Sequence, residues 1–92
     1  MFNPRTLAMV ESLAVRYNAY LEASKEFEQG PLAGSFKAAR SVTVWGDMLL
    51  EIMEQMGSKL LDPEAVRKNV QYMRGYLENE KKVVFFNAKE VA

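Results

Sequence analysis

One stretch of the chain, residues 41–57, constrains the fold more than any other. Its sequence is SVTVWGDMLLEIMEQMG, and apolar residues recur in it at alternating steps of three and four: Val42, Trp45, Leu49, Ile52 and Met56. That spacing is typical of one face of an α-helix. A second set widens the apolar face beyond half of the circumference: Val44, Met48, Leu50 and Met53. Such a helix must be covered on two or three sides. The stretch therefore predicts the central helix of a small bundle, or half of an oligomer core.

The size and charge of the chain narrow the classes of protein to which it can belong. Ninety-two residues, 49% of them hydrophobic, are enough for one folded domain spanning residues 1–92. A chain this short buries only roughly 60–65% of the surface that its unfolded form exposes, so we expect it to self-associate. The net charge is zero, whereas nucleic-acid binders usually carry a basic excess.

Residue types that are missing limit the chemistry further. The chain has no Cys and no His, so thiol nucleophiles, the usual general base and the usual zinc ligands are absent. No segment approaches the roughly 18–20 consecutive apolar residues of a membrane span. The first residues also lack a charged head followed by an apolar run. We expect a cytoplasmic protein without a membrane or a cofactor among its partners.

Local signals divide the chain into three helices, at about residues 4–29, 36–56 and 63–82. Each predicted start has a favoured capping residue, and Pro follows two of them: Asn3-Pro4, Ser35 and Asp62-Pro63. The predicted ends have Gly, which suits a left-handed cap: Gly30-Pro31 and Gly57. Short connections favour antiparallel neighbours. The predicted fold is therefore an all-α, antiparallel up-down-up bundle, with a strand at residues 41–45 as the less favoured alternative.

The C-terminal tail, residues 83–92, is harder to assign. It begins with four consecutive large apolar residues, Val83–Phe86, which do not stay in water as a frayed end. The tail either continues the third helix, folds back onto the bundle, or adds as a strand to another chain. We predict that it docks on its own chain or on a neighbouring copy.

Acidic residues form the first candidate site. Asp47, Glu51 and Glu54 line one side of the central helix, and Glu22 and Glu26 lie one turn apart on the first. Carboxylates on facing helices are suitable ligands for Mg²⁺. Here the chain resembles the MazG-type nucleoside triphosphate pyrophosphohydrolases, small all-α oligomers with an E-E-x-x-E motif followed by E-x-x-D. Residues 51–54 read E-I-M-E, with Glu in place of the Asp, and residues 22–26 depart from the first motif.

The resemblance implies a magnesium-dependent phosphohydrolase, as the enzymatic alternative. A plainer interpretation makes the same acids the solvated stripe of a broad apolar helix. Basic residues offer a further alternative, a helical DNA-binding regulator. They lie together on the third helix: Arg67, Lys68, Gln71 and Arg74. The last helix of three is where helix-turn-helix proteins read DNA, yet long antiparallel hairpins do not give the crossed pair of helices that the motif needs.

The chain has more large apolar side chains than the single seam of three helices requires. We interpret the surplus as a protein interface, with inward packing as the alternative. Met adapts to irregular partners, and Trp is enriched where interfaces concentrate their energy. The predicted contact residues are Trp45, Met48, Met53, Phe85 and Phe86. The favoured function is a small, non-catalytic protein-binding module: an adaptor, inhibitor or regulatory subunit, of cellular or viral origin, acting on a foreign partner, on itself as a dimer, or on both.

Overall fold

Three helices make up the computed structural model of the chain, which describes residues 3–57 and 62–91, with side chains as far as residue 79. They are α1 (Pro4–Glu28), α2 (Phe36–Met56) and α3 (Pro63–Val91). The predicted all-α, three-helix fold is confirmed, and the described residues contain no strand. The alternative strand at residues 41–45 is wrong, because these residues lie within α2.

The helices begin where the sequence predicts that they begin. At each start a side-chain oxygen accepts a hydrogen bond from a backbone N–H in the first turn: Asn3 from Thr6 at 2.8 Å, Ser35 from Ala38 at 3.1 Å, and Asp62 from Glu64 at 3.0 Å. These bonds satisfy N–H groups that have no partner inside the helix. At the other end of α2, Gly57 adopts the left-handed conformation with φ of 60°, which only glycine adopts at low cost.

The core lies along α2, which packs against α1 on one side and against α3 on another. Of the residues whose burial the structure describes, it supplies more than half of the buried ones: Ala38, Ala39, Val42, Thr43, Gly46, Leu49, Ile52 and Met53. From the other two helices come Tyr20 and Ala23, and Val66, Val70 and Met73. The prediction that residues 41–57 form the central helix of a bundle is therefore confirmed.

Side chains connect α1 to α3 along the remaining side of the bundle. The Tyr20 hydroxyl accepts a hydrogen bond from the Asn69 amide at 2.8 Å. The rings of Phe27 and Tyr76 meet edge to face, with centroids 5.1 Å apart. Both pairs are separated by 49 residues along the chain, so α1 and α3 run parallel, as an up-down-up bundle requires. The same offset places the start of α3 level with Ala14, and residues 4–13 of α1 extend beyond it.

The tail is part of α3, whose backbone remains helical through Val91. The helix therefore ends later than the predicted residue 82. Of the three alternatives for the tail, continuation of the third helix is the one observed. Whether Val83–Phe86 dock on the bundle depends on side chains outside the described residues. The predicted oligomer likewise stays a prediction.

Candidate protein-binding groove

An open groove of about 420 Å³ runs along the seam between α1 and α2. Its lining residues all come from these two helices: Ala8, Glu11, Ser12, Val15, Arg16, Trp45 and Met48. The helical repeat explains the set, because residues three or four apart share one face of a helix. The small side chains of Ala8 and Ser12 leave room, while Trp45 and Met48 supply a broad apolar wall.

The apolar residues of the groove are accessible to solvent. Val15 is 62% exposed, and Trp45 and Met48 are half-buried. Trp and Met side chains that are half-buried beside an exposed Val form a continuous apolar surface, which gains free energy when another apolar surface removes it from water. Two polar residues, Glu11 and Ser12, line the groove as well. An apolar surface accompanied by a few polar groups is common in protein-binding sites.

One cation is held at a defined position in this groove. The half-buried Arg16 donates a hydrogen bond from Nη1 to the backbone carbonyl of Met48 at 2.6 Å. A guanidinium has five N–H donors, and this bond engages one of them. Among the ion pairs of the described residues, none includes Arg16. The groove therefore offers a positioned positive charge next to an apolar wall, and a carboxylate is the group that matches a guanidinium best.

The structure brings two of the five predicted contact residues together in the groove and buries a third in the core. Trp45 and Met48 both line the groove. Met53 is 3% exposed and belongs to the core; it shares a face of α2 with Gly46, seven residues earlier, which lies against Val70 of α3. Phe85 and Phe86 lie in the last turns of α3, with side chains outside the described residues. Val15 and Arg16 were not among the predicted contact residues; the signal for Val15 in the sequence is an apolar residue among the polar residues of α1.

The candidate acidic site is not assembled in the described part of the chain. Glu22 and Glu26 lie on α1, and Asp47, Glu51 and Glu54 on α2, all of them exposed. No three carboxylates come close enough together there to hold a metal ion. Asp47 instead forms an ion pair with Arg74 of α3.

The basic residues of α3 are exposed, but two of them are paired. Arg67 bonds to Glu64 one turn earlier, and Arg74 bonds to Asp47. Lys68 and Gln71 lie exposed between them. Two of the three cations are thus next to a carboxylate, which weakens the attraction of this surface for phosphate groups.

Comparisons with known proteins add no functional information. The chain matches no protein-family model, and no significant match is found among the curated proteins or among the solved structures. Among the residues that the structure describes, no helix combines the length and the apolar content that a membrane span requires.

Proposed function

We propose that this protein is a small, non-catalytic protein-binding module that takes a helix of a partner protein in the groove between α1 and α2. The observation that carries the proposal is the grouping of Trp45, Met48 and Val15 as one accessible apolar surface. A groove between two neighbouring helices is a common binding site for an amphipathic helix. Such a helix inserts apolar side chains that are three or four residues apart. As an adaptor, inhibitor or regulatory subunit, the protein acts in the cytoplasm and without a cofactor.

Arg16 determines which helices bind best. Its hydrogen bond to the Met48 carbonyl holds the guanidinium in place before a partner arrives, so less side-chain entropy is lost on binding. A partner helix with an acidic residue one turn from its apolar anchors would form a charge-assisted hydrogen bond with Arg16. The proposed partner is therefore an amphipathic helix that carries apolar anchors and at least one carboxylate.

The test compares two Val→Asp variants in a capture experiment. In the first, V15D introduces a charge into the groove, where Val15 is 62% exposed. In the control, V44D changes the same residue type on α2, where Val44 is 50% exposed and does not line the groove. Proteins from the native source that bind the wild-type chain and V44D, but not V15D, are the candidate partners.

The affinity of a purified candidate is then measured with the natural reporter in the groove. Trp45 is the single tryptophan of the chain, so its fluorescence reports directly on the occupied groove. We expect a synthetic partner helix to shift the Trp45 emission, and V15D to weaken binding about tenfold or more. An equal loss in V15D and V44D, or no change in Trp45 emission on binding, would refute the groove as the site.

A further inference from the structure

A second apolar surface lies on α1, apart from the groove. It consists of five residues at alternating steps of three and four, which we call the α1 stripe: Leu7, Val10, Ala14, Tyr17 and Leu21. Leu7 is 49% exposed, Val10 38% and Leu21 44%; between them Ala14 is exposed, and Tyr17 is half-buried because part of its side chain packs against the core. This is the spacing of the a and d positions of a coiled coil, at which one helix packs against another.

Among the described residues, the offset between α1 and α3 leaves the first part of the stripe without α3 as a neighbour. Because α3 begins level with Ala14, the first turns of α1 have α2 as a neighbour but extend beyond α3. Leu7 and Val10 lie in this overhanging part. Isolated apolar residues on a surface are ordinary, but a stripe of five that extends over four turns of a helix indicates a packing partner.

We propose that the α1 stripe is a dimer interface, on which a second copy of the chain packs antiparallel about a two-fold axis at Ala14. The stripe is self-complementary about that residue. Leu7 and Leu21 lie equally far from Ala14, so Leu7 of one copy meets the partner subunit's Leu21. Val10 lies within one residue of the level of the partner's Tyr17. At the axis Ala14 meets the partner's Ala14, and two small side chains allow the helices to approach closely.

The two-fold axis also fits the remainder of the bundle. It lies at the level where α3 begins, so the two α3 helices lead away from the axis in opposite directions. Each overhanging first half of α1 then lies beside the second half of the other α1, which has α3 next to it. The part of α1 that its own α3 leaves uncovered is thus covered by the other copy.

Symmetry favours a second copy over a foreign helix as the occupant, and the net charge does not oppose it. The net charge of zero means that two identical chains do not repel each other as whole molecules. Along the free edge of the stripe, Glu11 would lie near the partner subunit's Asn18, a hydrogen-bonding group and not a like charge. A two-fold dimer needs one patch that is complementary to itself, and the symmetry of the stripe about Ala14 supplies that property. The α1 stripe shares no residue with the lining of the groove.

Two substitutions at the axis test the dimer. The wild-type mass, measured by light scattering across a hundredfold range of concentration, should rise to twice the 10.5 kDa of one chain. In A14E two carboxylates would meet at the axis, and the dimer dissociation constant should rise about ten- to a hundredfold. Because Ala14 is exposed, its circular dichroism should equal that of the wild type. V15D should leave the mass unchanged, which separates this test from that of the groove.

Cysteine crosslinking tests the direction of the helices. The chain has no Cys, so A14C under a mild oxidant should form a disulfide across the axis, whereas V15C, one residue away, should not. A mixture of L7C and L21C should form the mixed disulfide, and neither variant should crosslink to itself. A monomer at every concentration, a dimer that A14E leaves intact, or an L7C chain that crosslinks to itself would each overturn the proposal.

Discussion

Gly46 of α2 lies close to side chains of both other helices, and a single methyl group added there would test the packing of all three. A Cβ at this position would lie 2.3 Å from Val70 Cγ2 and 3.5 Å from Tyr20 Cε1. Carbon atoms in contact are normally about 3.5–4.0 Å apart, so the methyl group overlaps Val70 by more than about 1 Å. Val70 is 1% exposed and β-branched, with one strongly preferred rotamer in a helix. It cannot turn aside, and α2 and α3 must separate.

The size of the effect is a balance of two terms. Overpacking of a close-packed core costs about 1–3 kcal/mol, and an overlap of this depth with a stiff side chain belongs at the upper end, about 3 kcal/mol. Replacing Gly by Ala inside a helix returns about 1 kcal/mol. G46A should therefore lower the free energy of unfolding by about 2 kcal/mol. For a domain of this size, that corresponds to a fall in melting temperature of about 8–16 °C.

The assay is urea unfolding followed by circular dichroism, with Gly75 as the matched control. Gly75 is also inside a helix, but a Cβ there meets nothing within 4 Å, so G75A should raise the free energy of unfolding by up to about 1 kcal/mol. Shortening Val70 to Ala should make G46A less harmful, with a coupling energy of about 1–3 kcal/mol in the double-mutant cycle. If G46A proved as stable as the wild type, or as stabilising as G75A, the close approach of α2 and α3 at Gly46 would be refuted.

Two further predictions concern polar contacts between helices. Tyr20→Phe removes the hydroxyl that accepts the hydrogen bond of Asn69 between α1 and α3; because the site is partly buried, we expect a loss of about 1 kcal/mol by urea unfolding, and an unchanged midpoint would show that the bond does not form. Asp47→Asn breaks the ion pair with Arg74, whose side chains are 47% and 56% exposed; solvent screens such a pair, so the change should stay below about 1 kcal/mol, and a larger loss would contradict a surface role.

The ends of the helices were predictable from sequence because capping is a local interaction. Asn3, Ser35 and Asp62 each satisfy a backbone N–H within three residues, so their role does not depend on the rest of the fold. The central position of α2 was predictable for a similar reason, since the width of its apolar face requires neighbours on more than one side.

What could not be predicted is which side of each helix the neighbours cover. Met53 has the composition of a contact residue, yet it is buried in the core, on the face of α2 that it shares with Gly46. Gly46 contributes nothing to a hydrophobic pattern, although two helices meet at its missing side chain. Arg16 lies with the polar residues of α1 in the sequence, and its bond to the Met48 carbonyl appears only when α1 and α2 are placed side by side. The groove depends on how the helices pack against one another, which local sequence patterns do not determine.

The shared position of α2 has a consequence for how the chain folds. The bundle consists of two helical hairpins, α1–α2 and α2–α3, which have one helix in common and are closed by connections of seven and six residues. Contacts that are close along the chain form quickly, and helical bundles dominated by them fold in microseconds to milliseconds. Either turn can start the process, since each hairpin brings α2 a first partner. Whichever forms first, the second hairpin then closes on a helix that is already in place.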